Sequence, residues 1–152
     1  MKLRFKQIVF SWFSGSKVYD ETGRILFTVK SCRDWGYCLH ILDAAGKQVA
    51  SIQRRTSTFL PSYDLFAYGE YLGRMKQRIT LLKPQFCIEG SDWVVTGNAM
   101  GSEYAITSPR QGLVASASKE RCQLNNIYAL DVEDTANTLC SLMIVLAVGQ
   151  YR

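Results

Sequence analysis

Two kinds of residue in this chain have types and spacings that could do chemistry: a cysteine–histidine pair and rows of basic side chains. Cys38 and His40 stand two apart in YCLHIL. On a strand, positions i and i+2 share a face, so a thiol and an imidazole there meet the minimum requirement for a nucleophile and its base. No third group stands out to orient the imidazole, and a structural cysteine beside a strand histidine is the stronger reading. No Ser-His-Asp set, glycine-rich phosphate cradle or pair of carboxylates is visible. The chain is therefore expected not to be an enzyme, with catalysis by Cys38 and His40 a remote alternative. His40 is the single histidine, and the five cysteines (Cys32, Cys38, Cys87, Cys122 and Cys140) contain no CxxC pair. Neither a metal site nor a cofactor is expected from such spacing. An odd, sparse cysteine set fits reduced buried thiols better than a disulfide scaffold, which points to the inside of the cell.

The basic rows are more informative. Arg74, Lys76 and Arg78 fall at i, i+2 and i+4, with Lys83 beyond; Lys2, Arg4 and Lys6 repeat the spacing at the N-terminus. Arg54 with Arg55, and Lys119 with Arg121, close two further runs. Read as strands, the two rows each put three cations on one face. These seven residues are the candidates for an anionic ligand, since a basic side chain near an anionic membrane surface contributes about 1 kcal/mol. The competing reading is a solvated outer face whose charges also discourage edge pairing. The net charge of +5 and pI of about 9.0 favour anionic partners only mildly. Trp12, Phe13, Trp35, Tyr37 and Trp93 could stack nucleic-acid bases between basic residues, but they sit in strand patterns, where aromatics fill a core. Nucleic acid is not the expected partner.

The elements that would position these residues are mostly strands. In KLRFKQ, Leu3 and Phe5 face one way and the cations the other; in RILFTVK, Ile25, Phe27 and Val29 share a face. KVYD, HILD, SYDLFAY, QFCIEG, DWVVTGN and EYAIT are further short runs rich in β-branched or aromatic residues. Turn signals at DETG, DAAG, Gly69, Gly90 and SPRQG separate them. Such spacing suggests a sandwich or a barrel. One hairpin unit recurs: VYDETGRILFTVK (18–30) aligns with ILDAAGKQVASIQ (41–53), and ITSPRQGLVASASK (106–119) is a third copy with a different turn. At 152 residues, with three prolines and no linker, one domain over 1–152 is the expectation.

The pattern changes at the C-terminal end. ALDVEDTANTLCSLMIVLAV has helical signals: Asp131 as a cap, Glu133 and Asp134 where the dipole favours acids, and Gly149 as the stop. A helix over about residues 132–148, preceded by strands over about 2–131, follows. Its apolar residues cover every side, so it belongs in a membrane or inside protein. About 12 apolar-rich residues reach only about 18 Å, short of a bilayer. The helix is therefore expected to be buried, and a closed β-barrel would surround it. The start MKLRFKQIVF alternates charge with apolar residues and does not read as a signal peptide.

FKQIVFSW (5–12), VYDETGRILFTVK, WGYCLHILDAAGKQVASI (35–52), VASASKE (114–120) and YALDVEDTANTLCSLMIVLAV (128–148) together resemble the LURP-one-related family, itself related to the tubby C-terminal domain and the phospholipid scramblases. The resemblance covers nearly the whole chain. It implies a barrel of about twelve mostly antiparallel short strands closed around a buried hydrophobic C-terminal helix. Tubby-like domains bind phosphoinositides through a basic surface, but their lipid-contacting residues do not map onto this chain position by position. The scramblases' acidic calcium segment is not matched: in CQLNNIYALDVED (122–134) only Asp131, Glu133 and Asp134 are acidic, and no calcium site is expected. The expected role is a non-enzymatic binding or adaptor module in the cytoplasm, touching a membrane surface through the basic rows without spanning it. The alternative is a protein-interaction or structural module with no lipid role.

Overall fold

In a computed structural model the protein is described over residues 1–6, 16–32, 38–55, 60, 62–78, 80–81, 83–98, 100–122 and 125–149. The side chains of residues 121–126 are outside that description. Twelve strands are found among the described residues: β1 (Lys2–Lys6), β2 (Ser16–Asp20), β3 (Ile25–Cys32), β4 (Cys38–Asp43), β5 (Gln48–Arg55), β6 (Ser62–Ala67), β7 (Glu70–Arg78), β8 (Gln85–Ile88), β9 (Val94–Gly97), β10 (Glu103–Ser108), β11 (Gly112–Cys122) and β12 (Asn125–Val132). Each pairs antiparallel with its neighbour in sequence, and β1 returns to pair with β12, closing the barrel. At the seam the Met1 ammonium donates to the Val132 carbonyl and the Val132 amide donates to the Met1 carbonyl, both at 2.8 Å. Closure leaves no sheet edge exposed.

The repeated hairpin has a physical cause. In the β2–β3 turn, Asp20 Oδ1 accepts from the amides of Thr22 and Arg24, each at 2.9 Å, and from the Thr22 hydroxyl at 2.7 Å. In the β4–β5 turn, Asp43 Oδ1 accepts from the amides of Ala45 and Lys47 at 2.9 Å. Gly23 and Gly46 both stand at φ +84°, where a side chain is disfavoured. The third copy substitutes Ser108 Oγ, which accepts from the amides of Arg110 and Gln111. All three hairpins carry a register shift in the ladder, at Val18/Tyr19, Ile41/Leu42 and Ile106/Thr107. Such bulges increase strand twist, which a closing sheet needs.

Inside the barrel lies α1 (Thr138–Val148), in which every residue but Cys140 is buried. Alternate residues of the strands close on it: Leu3 and Phe5 from β1, Leu39 and Ile41 from β4, Tyr63 and Leu65 from β6, Leu130 from β12. Each buried aliphatic or aromatic side chain contributes about 1.5–3 kcal/mol. An all-round apolar helix and the strands' apolar faces thus satisfy one another. At 11 residues α1 is about 16 Å long, and no helix among the described residues is long and apolar enough to cross a membrane.

The helix begins later than the sequence suggests. Asp131 does not cap it. It is still in β12, opposite Lys2 of β1 and Ser116 of β11, because the ladders that close the barrel claim its backbone. Asp134 instead caps a single 3-10 turn, Thr135–Asn137, by accepting from the Ala136 amide at 3.0 Å. Gly149 ends α1 in a right-handed conformation (φ −61°), not the left-handed one a glycine stop usually adopts.

One glycine is needed for close approach. Gly73 stands in β7 at φ +145°, and a Cβ there would overlap the backbone carbonyl of Glu89. Gly73→Ala is expected to cost about 2 kcal/mol or more from strain and overlap. For a chain of this size that lowers Tm by about 6 °C, which thermal unfolding followed by circular dichroism would measure.

Candidate anion-binding site

Strand alternation delivers the basic rows to the outer surface, and strand pairing decides what they meet there. In β1, Leu3 and Phe5 point inward while Lys2, Arg4 and Lys6 are exposed. In β2, Lys17 and Tyr19 are exposed on either side of buried Val18. In β3, half-buried Thr28 and exposed Lys30 flank buried Val29. Arg4 lies opposite Tyr19, Lys17 opposite Thr28, and Lys6 opposite Ile127 of β12. Arg4, Lys6, Lys17 and Lys30 therefore converge on a groove of about 580 Å³ that Tyr19, Thr28, Ile127 and Glu120 also line. None of the four cations has an ion-pair partner among the described residues. Glu120 is the single carboxylate among the described lining residues. Lys2 lies outside this groove, in a smaller cleft of about 300 Å³ that Arg4, Glu103 and Asp131 also line.

The β7 row is arranged differently. Arg74, Lys76 and Arg78 do share the outer face, but two of them are neutralised. Asp64 in β6, almost fully buried, accepts from Arg55 Nε at 2.5 Å, from Arg74 Nε at 2.9 Å and from the Tyr71 hydroxyl at 3.0 Å. Burial pushes the Asp64 carboxyl upward, yet the hydrogen bonds from Arg74, Arg55 and Tyr71 together outweigh it and hold the group below the usual carboxylate range. Lys76 pairs with Glu89 at 2.5 Å. Arg78 and Lys83 are brought together in a cleft of about 320 Å³ with Leu60, Gln77, Thr80, Leu81 and Pro84.

Lys17 and Lys30 are two groove cations outside the basic rows of the sequence. Both have outward parity within the hairpin repeat, which was a usable signal, but their meeting with Arg4 and Lys6 depends on β1 pairing with β2. Trp93 packs against the core. Trp12, Phe13, Trp35 and Tyr37 lie outside the described residues, as does the side chain of Arg121.

The expectation of reduced thiols is overturned for Cys32 and Cys38. Cys32 and Cys38 form a disulfide, with Cα atoms 5.2 Å apart. They are directly opposite in the β3–β4 ladder, which sets the Cα separation that a disulfide requires. In this form Cys38 has no thiol to act as a nucleophile beside His40. Cys87 and Cys140 are free and half-buried, and burial pushes the Cys140 thiol up.

The model of the LURP-one-related family matches residues 1–149. The Bacillus subtilis protein YxjI, itself uncharacterized, is 26% identical over 155 aligned residues, spanning 100% of this chain and 95% of its own. A crystal structure of an Arabidopsis thaliana protein superposes with a TM-score of 0.60 at 14% identity, covering 96% of this chain and 90% of the other. That likeness is one of fold.

Proposed function

We infer the function from one premise: the chain belongs to the LURP-one-related family. It acts as a non-enzymatic binding module that holds the headgroup of an anionic phospholipid at a membrane surface. The contact runs through the groove of Arg4, Lys6, Lys17 and Lys30. The observation that carries this reading is four cations without an ion-pair partner among the described residues, facing one described carboxylate across a groove of about 580 Å³. Tyr19, Ile127 and the lysine stems give the groove apolar walls. A phosphate on a glycerol backbone has both characters. The β7 face is less suited, because Asp64 and Glu89 already occupy two of its cations, Arg74 and Lys76, and Asp64 also holds Arg55 of β5.

Vesicle co-sedimentation tests the reading. With phosphatidylcholine vesicles that include phosphatidylserine, binding is expected at low salt and is expected to fall between about 0.05 and 0.5 M salt, as the screening length shortens. Lys6→Glu with Lys17→Glu removes two attractive cations and should weaken partitioning by about 30-fold or more at about 1 kcal/mol each. Arg78→Glu with Lys83→Glu should leave it unchanged. Equal sedimentation with neutral vesicles, or full binding by the Lys6/Lys17 variant, would exclude the groove.

A further inference from the structure

On the outer face of the β3–β4 hairpin, Cys32 stands opposite Cys38 and Lys30 stands opposite His40. The two sulfurs and a ring nitrogen of His40 all lie within 4.8 Å of one another. We propose that Cys32, Cys38 and His40 form a zinc site that exists only in the reduced chain and is withdrawn when the two cysteines join as a disulfide.

The geometry comes from strand pairing, not sequence spacing. Cys38 and His40 share a face because they are two apart on one strand. Cys32 reaches them because directly opposed Cβ atoms in an antiparallel pair are about 4.5–5.5 Å apart. Tetrahedral zinc, with Zn–S of about 2.3 Å and Zn–N of about 2.0 Å, needs its ligand atoms about 3.5–3.8 Å apart. Side-chain rotation within the observed 4.8 Å cluster reaches that spacing with the backbone in place. Two thiolates and an imidazole are a donor set suited to zinc, with the fourth position left to water. Cys38 is buried while Cys32 and His40 are half-buried, so one side of the cluster stays open to solvent.

The chemistry balances. Metal binding releases the two thiol protons. Oxidation joins the sulfurs as the two thiols pass two electrons and two protons to a low-molecular-weight disulfide, which leaves as two thiols. The sulfur lone pairs that held the metal then belong to a neutral disulfide with little affinity for zinc. The site would thereby report thiol redox state, next to the groove that Lys30 also lines. It stands or falls independently of lipid binding.

Titration of the whole chain with cobalt(II), followed by displacement with zinc, provides the test. The fully reduced protein is expected to give thiolate-to-cobalt charge-transfer bands that saturate at about one equivalent. The same protein with the Cys32–Cys38 disulfide intact should give none, an arm that needs no mutation and so cannot be confused with misfolding. Cys32→Ser with Cys38→Ser should abolish the bands, and Cys87→Ser should retain them. His40→Ala should weaken binding by about tenfold or more, the scale of losing a member of a metal site. Absence of bands in the reduced protein, their survival in the disulfide form, or unchanged affinity in His40→Ala would overturn the proposal.

Discussion

Ile144→Asp is expected to abolish the folded barrel. Ile144 is 1% exposed and sits midway along a helix whose neighbours Leu142, Met143, Val145 and Leu146 are equally buried. An ionised carboxylate there has no partner, and even the protonated acid leaves polar atoms unpaired in an apolar interior. The cost is about 5 kcal/mol or more, comparable with the whole stability of a domain this size, about 5–15 kcal/mol. The effect should be global, because the strands close on α1 from all around and no part of the barrel keeps a core without it. Ile144→Val, which removes one methylene, should cost only about 0.5–1.5 kcal/mol and serves as the control. Circular dichroism and gel filtration would read the difference. A folded, monodisperse Ile144→Asp protein would refute the central-helix architecture.

Asp64→Asn should have the next largest effect, and a pH signature of its own. Asp64 holds Arg55 and Arg74 on the outside of β5, β6 and β7, and removing its charge leaves two guanidinium groups without their counter-ion. Breaking a fully buried pair costs about 3–5 kcal/mol. Here the arginine side chains are 53% and 29% exposed, so water compensates in part and a loss of about 2 kcal/mol is expected at neutral pH. The carboxyl is held below its ordinary value of 3.8 in the folded protein. Its stabilisation is therefore complete above the unfolded value and is lost as pH falls through the folded one. Urea unfolding at neutral pH should separate the wild type from Asp64→Asn. Below about pH 4 the gap should close, because Asp64 becomes protonated in the wild type and the variant has no acid to titrate at that position. A gap that stayed constant into acid would mean that the ion pairs contribute nothing.

The architecture was legible because its causes are local. The alternation in KLRFKQ put Leu3 and Phe5 inward and that in RILFTVK put Val29 inward, since a strand's period of two is a property of the chain itself; Phe27 is only half-buried and Ile25 stands 39% exposed, where the β2–β3 ladder shifts register. The Asp-x-x-Gly units at Asp20 and Asp43 announced their own turns, because a carboxylate can reach the amides two and four residues on without help from the rest of the fold. The apolar run from Leu139 to Val148 announced a buried helix, because no solvated helix could carry it.

What remained hidden depends on which strands become neighbours and in what register. Asp131 looked like a helix cap, but β1 and β11 both bond to its strand, and that pairing spans more than a hundred residues on one side. Arg74 and Lys76 showed the right spacing for an anion-binding row, yet Asp64 and Glu89 lie opposite or beside them once β6 and β8 are in place. Cys32 and Cys38 are six apart, a spacing that means nothing until the β3–β4 register sets them face to face with His40 beside them. Lys17 and Lys30 join Arg4 and Lys6 only because β2 lies between β1 and β3. The strands, the turns and the core helix are written in the order of the residues alone, because hydrophobic period and turn chemistry act within a few residues. Which of the described cations are paired with carboxylates and which sulfurs meet is settled by strand neighbours and register. Those outcomes follow from cross-strand distances of about 5 Å, and register, set by burial of a whole face, is the first level at which such distances exist.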